Sequence, residues 1–186
     1  DGGSSDATLH IADEAGAAIG TGPASRGGQL RRGAEAAQAS QGDWLFFLHA
    51  DTILPPGWTD AVGAHITMER PAWCLMRFDH AGIPGRLVAG WANTRARLFS
   101  LPYGDQGLLI SRADYIRTGG FRDQPLMEDV AMARVLGRRL VPLAITVTTS
   151  ADKYLRDGWL RRGARNLVLL GRYLAGADPE RLSGKY

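Results

Sequence analysis

The chain has 186 residues, 45% hydrophobic and 22% charged, enough for one α/β domain with a substantial core and too few for two comfortable ones. That balance excludes a disordered or collagen-like chain, and a formal net charge of +3 excludes a polybasic tail while suiting anionic partners: nucleotide diphosphates, acidic lipid surfaces or nucleic acid. The single cysteine, Cys74, excludes an internal disulfide and a four-cysteine zinc site, and its apolar neighbours Trp73, Leu75 and Met76 mark it as a buried, inert thiol.

Asp1-Gly2-Gly3-Ser4-Ser5-Asp6 reads as the turn between a strand and a helix, so a strand, or a strand plus a helix, is expected ahead of it, and the chain reads as an N-terminally truncated domain. Ser4 or Ser5 is placed to cap a helix that starts near Asp6, carries Leu9, Ala12 and Ala15 and stops at Gly16. A short strand is expected at Ala17 to Gly20. Helical spacing returns at Leu30, Ala34 and Ala37 and ends at Gly42-Asp43. Trp44-Leu45-Phe46-Phe47-Leu48 is a continuous apolar run, the pattern of a strand buried on both faces, which points to a parallel sheet between helices.

After Pro55-Pro56-Gly57 a helix is expected from Thr59 to Met68, then a strand from Trp73 to Phe78. Pro84 opens a helix on which Leu87, Val88, Trp91 and Leu98 share a face. Pro102 to Gly107 reads as a loop, Leu108-Leu109-Ile110 as a strand, and Gly119-Gly120 as the end of a short helix. Met127 to Arg138 is helical, with Val130, Val135 and Leu136 as core candidates; Leu143 to Thr148 is a strand; the last helix spans Gly158 to Ala175. One domain, 1–186, with a helical C-terminal extension over 151–186, is the economical organisation. No run reaches the ~18 apolar residues of a membrane-spanning helix.

Three clusters can carry chemistry. His49-Ala50-Asp51-Thr52 directly follows the apolar strand, and ligand sites in open α/β sheets lie at such strand ends. A carboxylate there can hold a divalent cation that in turn holds phosphate oxygens; the competing reading is an Asp that caps a turn. Met127-Glu128-Asp129-Val130 puts two carboxylates at a helix start, either as a general base or as ordinary partners of the helix dipole. Gly104-Asp105-Gln106-Gly107 offers close backbone approach and groups suited to sugar hydroxyls, or is a plain turn.

In their order, Asp1-Gly2-Gly3-Ser4-Ser5-Asp6, Leu48-His49-Ala50-Asp51, Gly104-Asp105-Gln106-Gly107 and Glu128-Asp129 resemble glycosyltransferase family two. The likeness covers nearly the whole chain, and is nearest to a small bacterial branch with "LHADT", "GDQG" and "MED" motifs and a basic, Trp- and Leu-rich tail. The resemblance implies a GT-A fold, a mostly parallel sheet flanked by helices. It implies an inverting transferase that moves a sugar from a nucleotide-diphosphate donor to an acceptor hydroxyl, assisted by Mn²⁺ or Mg²⁺, in the cytoplasm or at the inner membrane face, for cell-envelope biosynthesis. Asp129 would be the base with Glu128 in support. Asp1, Arg26, Gln29, His49 and Asp51 would meet the donor, Asp51 as the metal ligand, and Asp105 and Gln106 would meet the acceptor.

This chain departs from that pattern. The first acid of the family's Asp-x-Asp is His49, which brings no negative charge. Of the donor stretch Gly-Arg-Ala-Arg-Gln-x-Asn-x-Gly, Arg26, Gln29 and Gly33 are kept, while Gly28 and Arg31 replace the second Arg and the Asn. In the tail, Arg161, Arg165 and Arg172 share one helix face, with Leu160, Ala164, Leu167, Leu170 and Leu174 elsewhere. That is a solvated basic face over a core stripe, or an interfacial helix on anionic lipid with Trp159 at the headgroups, which would suit a lipid-linked acceptor. Nucleic acid is disfavoured because no recognition pattern is present. A homo-oligomer is compatible with a missing strand. The alternatives are a nucleotidyltransferase, for which Arg26-Gly27-Gly28 would supply a phosphate loop, and a non-catalytic nucleotide-sugar or partner-binding remnant.

Overall fold

The computed structural model describes residues 1–37 and 42–184. It is an α/β fold: a five-stranded sheet flanked by helices, in spatial order β1-β4-β3-β5-β2. The strands are β1 (Trp44–Phe47), β2 (Thr52–Ile53), β3 (Ala72–Phe78), β4 (Leu108–Ser111) and β5 (Val141–Thr149). The sheet is mixed where a mostly parallel one was expected. Among the described residues only β3 and β5 pair in parallel; β1 with β4, β3 with β4 and β2 with β5 are antiparallel. β1, β3 and β5 nevertheless point the same way, so their C-terminal ends share one edge, and the antiparallel β4 begins at that same edge.

The helices are α1 (Thr8–Glu14), α2 (Arg26–Ala36), α3 (Trp58–Ile66), α4 (Ile83–Phe99), α5 (Arg112–Arg117), α6 (Glu128–Leu136), α7 (Asp152–Asp157), α8 (Trp159–Leu174) and α9 (Pro179–Ser183). Local chemistry sets several starts. Ser25 caps α2 by accepting the Gly28 N–H at 3.2 Å, and Ser111 caps α5 by accepting the Asp114 N–H at 3.1 Å. At α1 the expected serines do not cap; the Asp6 carboxylate takes the Thr8 N–H at 3.0 Å. The expected strand at Ala17 to Gly20 is irregular chain. The expected continuation of α2 through residues 38–41 lies outside the described residues.

Alternation along β4 divides the core. Leu108 and Ile110 join a cluster with Ala34 of α2 and Met132 and Ala133 of α6; Leu109 joins another with Cys74, Met76 and Val147, backed by Trp58 and Val62 of α3. Burial raises the Cys74 thiol to about 12, so it is inert as read. A third cluster joins Val130 of α6 to Leu169 and Leu170 of α8 and Leu182 of α9, which seats the C-terminal helices against the strand-end edge.

Burial corrects three expectations. β1 is an edge strand with Leu45 its only fully buried residue, not a strand buried on both faces. Val135 is exposed. On α8 only Leu169 and Leu170 of the leucines are core; Leu160, Leu167 and Leu174 are exposed.

Candidate functional site

A cleft opens where β1 and β5 end and the turn before β4 begins. Its walls include Arg26, His49, Asp51, Tyr103, Gly104, Asp105, Asp129 and Lys153. Five of the expected site residues (Arg26, His49, Asp51, Asp105 and Asp129) therefore converge from four separate segments.

The backbone before α6 explains how Asp129 arrives. Met127 has φ of 63°, a left-handed conformation that costs a non-glycine residue about 1 kcal/mol. The bend turns the chain so that α6 opens with Asp129 at the cleft and Glu128, which does not line it, directed into the protein. Asp129 Oδ2 accepts the Gly104 N–H at 2.7 Å and Oδ1 accepts the Val130 N–H at 2.7 Å. Glu128 points inward and is 1% exposed, with Arg26 Nε 3.1 Å from Oε1. Neither Glu128 oxygen accepts a well-aligned hydrogen bond. Burial, then the neighbouring Asp129 charge, push Glu128 up to about 7 against the pull of Arg26.

His49 follows β1. Its Nε2 lies 3.2 Å from Arg26 Nη2. A guanidinium only donates, so Nε2 is the acceptor and Nδ1 carries the proton. Burial and the Arg26 charge hold the ring below the ordinary histidine value, which keeps it neutral. The ring rests on Gly104, where a Cβ would collide with it. This contact requires glycine in the Gly104-Asp105-Gln106-Gly107 turn.

Asp105 lies in the same turn, with Oδ1 buried and without a hydrogen-bond partner. Burial raises its carboxyl, and the Asp129 and Asp51 charges add to the rise against the pull of the Arg95 charge. The Asp51 side chain is 36% exposed, and its Oδ2 meets Lys153 Nζ at 3.3 Å.

The remaining expected residues go elsewhere. Gln106 is 0% exposed. It accepts from Arg95 Nη2 at 3.3 Å and from the Tyr103 N–H at 3.3 Å, and donates to Cys74 O at 3.4 Å and Asn93 Oδ1 at 3.3 Å. It braces the turn from below and does not face the cleft. The Asp1 carboxylate accepts the Gly3 and Ser4 N–H groups at 2.6 and 2.9 Å, closing its own turn. Gln29, with its amide oriented to satisfy both ends, bridges Ser25 O and the Gly2 N–H at 3.2 Å each. Neither Asp1 nor Gln29 lines the cleft.

Sequence reasoning missed Lys153, Tyr103 and Arg95. Lys153 sits four residues beyond β5, at a strand end as Asp51 is, and that position was its available signal. Arg95 is buried on α4, donates to Leu101 O at 2.8 Å and lies 3.3 Å over the Tyr103 ring.

A divalent cation fits this donor set. Asp51 offers an accessible hard oxygen, and Asp105 an oxygen that no protein group uses. Among the described residues no group of three or more His, Cys, Asp or Glu side chains forms a ready cage. A cation here would be held by one or two carboxylates and by a ligand's own oxygens, the usual arrangement for Mg²⁺ on phosphates.

Gly27 and Gly28 do not form an open phosphate loop. Both are buried; a Cβ on Gly27 would collide with Arg122 O, and one on Gly28 would crowd Asp123. Comparison of the chain with family models, with curated proteins and with solved structures finds no match.

Proposed function

We propose that this cleft is the site of an inverting glycosyltransferase of the GT-A type, resembling family two, acting on a nucleotide-diphosphate sugar. The observation that carries the reading is the meeting of Asp51, Asp105 and Asp129, from three separate segments, with His49 and the cations Arg26 and Lys153 in one strand-end cleft.

In this reading the donor diphosphate lies between Lys153, Arg26 and Asp51. Asp51 would hold Mg²⁺ or Mn²⁺, which when bound neutralises charge on a leaving diphosphate. Neutral His49 offers a ring nitrogen and no competing negative charge. Asp129 takes the proton from the acceptor hydroxyl as that oxygen attacks the anomeric carbon from the face opposite the leaving group. No protein nucleophile is needed, because attack is direct. The Gly104 N–H fixes the orientation of the Asp129 carboxylate, and Asp105 stands beside it to meet acceptor hydroxyls.

Packing accounts for Gly27 and Gly28, so the feature that favoured a nucleotidyltransferase is used in the α2 contact with residues 122–124. The test is to offer uridine, guanosine and thymidine diphosphate sugars with Mn²⁺ and mixed hydroxyl acceptors. Nucleoside diphosphate released together with a glycosylated product supports the proposal. Pyrophosphate released from a nucleoside triphosphate and a sugar phosphate would instead identify a nucleotidyltransferase. Nucleoside diphosphate binding without either product would leave the nucleotide-sugar-binding remnant, and failure to bind any nucleoside diphosphate would leave only the partner-binding one.

A further inference from the structure

α4 and α8 pack side by side and flank a groove of roughly 380 Å³, near the lower end of the ~300–1,000 Å³ usual for ligand pockets. The groove is apolar, with Leu87 and Trp91 of α4 opposite Leu160 and Leu167 of α8. Tyr103 and Asp105 line both this groove and the strand-end cleft, so the two adjoin at these residues.

The outer surface of this helix pair is unusual for a face in water. Leu160 is 90% exposed and Leu87 is 68% exposed. On α8, the exposed Leu160, Ala164, Leu167, Val168 and Leu174 occupy about a third of the circumference. On α4, the exposed Ile83, Leu87, Trp91 and Leu98 occupy about a quarter. Adjacent apolar stripes of this size mark an interaction surface.

Charge selects the occupant. Neither helix contains a single Asp or Glu. Arg86 and Arg97 on α4, and Arg161 and Arg172 on α8, are exposed and make no ion pair among the described residues. Apolar stripes edged by unpaired arginines with no acidic residue suit a surface that is apolar within and anionic at its rim. Among the described residues no helix is long and apolar enough to cross a membrane, so the contact would lie in the interface plane. Trp159 is not at this surface: it is half-buried, stacked on Tyr154 at 4.9 Å and edge-on to Phe78 at 5.0 Å, with Gly85 leaving room for its ring.

We infer that the α4–α8 face docks on an anionic lipid bilayer, and that the groove between the helices admits the apolar chain of a bilayer lipid toward Asp105. The further consequence, that this lipid carries the acceptor hydroxyl, rests on the transferase reading; docking itself does not.

The test is sedimentation of the full chain with phosphatidylcholine vesicles and with vesicles that also contain phosphatidylglycerol, with no nucleotide sugar present. Binding is expected to the anionic vesicles and to weaken with salt. Arg161→Gln with Arg172→Gln should lower that affinity roughly 25-fold, about fivefold for each arginine. Leu87→Glu with Leu160→Glu should abolish binding; both side chains are exposed, so the circular dichroism spectrum and melting should match the parent chain. The inference is overturned if the parent chain binds neither vesicle, or if the Leu87→Glu and Leu160→Glu chain binds as the parent does. It is overturned equally if sedimentation velocity shows a dimer that those same substitutions dissociate, for then a second copy covers the face. Sugar transfer to a soluble acceptor is scored separately, so loss of docking and loss of the transferase reading are distinct results.

Discussion

Asp129 Oδ2 accepts the backbone N–H of Gly104 at 2.7 Å, which ties the start of α6 to the turn before β4 across 25 positions of sequence. The bond orients one carboxylate oxygen and leaves the cleft side of the group to meet a ligand. In the Asp129→Asn chain the amide oxygen can still accept from Gly104 while the bond from the Val130 N–H is lost, so the turn contact and nucleoside diphosphate affinity should persist at a modest cost in stability, about 1 kcal/mol. Transfer should fall by about 10²–10⁴, the usual worth of a general base. Transfer rates and calorimetric affinities on the same preparation check this. If Asp129→Asn transfers normally and Glu128→Gln is dead, the roles are reversed.

Glu128 makes a pH prediction of definite sign. Its carboxyl rises from 4.5 to about 7 because burial and Asp129 outweigh Arg26. Between those values the folded chain holds a proton that the unfolded chain has released. The stabilisation is full below 4.5 and is lost as pH rises through about 7. Glu128→Gln removes this dependence, which amounts to on the order of 3 kcal/mol at its limit. Urea unfolding at about pH 5 and about pH 8 reads the difference; identical slopes in both chains would remove Glu128 as its source.

Gln106 serves stability in this structure. Gln106→Ala removes acceptors from the buried Arg95 and Tyr103 N–H and donors from Cys74 O and Asn93. The expected cost is roughly 2–3 kcal/mol, a fall in Tm of roughly 4–12 °C for a domain of this size. Acceptor KM should be little changed for the folded fraction. A large rise in KM at an unchanged Tm would restore the expected acceptor contact.

The sequence carried the α/β class, most helix and strand positions and five of the cleft residues, because apolar runs and carboxylates at strand ends are local patterns. Strand direction was not local. Leu108–Ser111 reads as a strand in either sense, and only its pairing with β1 and β3 shows it antiparallel to both. The α8 stripe stayed open between core and interface because an amphipathic pattern looks the same in either setting; the 90% exposure of Leu160 removes it from the core. Gln106 and Asp105 are adjacent in one turn, yet point to opposite sides of it. Lys153 escaped notice because its partner Asp51 is 102 positions away.

Lys153 and Asp51 give the sharpest division of labour in the cleft. Their pair spans 3.3 Å with side chains 58% and 36% exposed, so it is worth at most about 1 kcal/mol and opens readily for a ligand. Two arrangements are then distinct. If Asp51 holds the cation and Lys153 meets the diphosphate, each residue controls one measurable term. Asp51→Asn should abolish the gain in nucleoside diphosphate affinity that Mn²⁺ brings, while affinity in EDTA changes little. Lys153→Met should lower affinity in EDTA by about fivefold, the worth of one exposed charge contact, and keep the Mn²⁺ gain. If Lys153 instead only competes with the cation for Asp51, Lys153→Met should raise Mn²⁺-dependent affinity and leave the EDTA value alone. An Mn²⁺ gain that survives Asp51→Asn would move the cation to Asp105, whose buried Oδ1 is the next oxygen in the cleft without a partner.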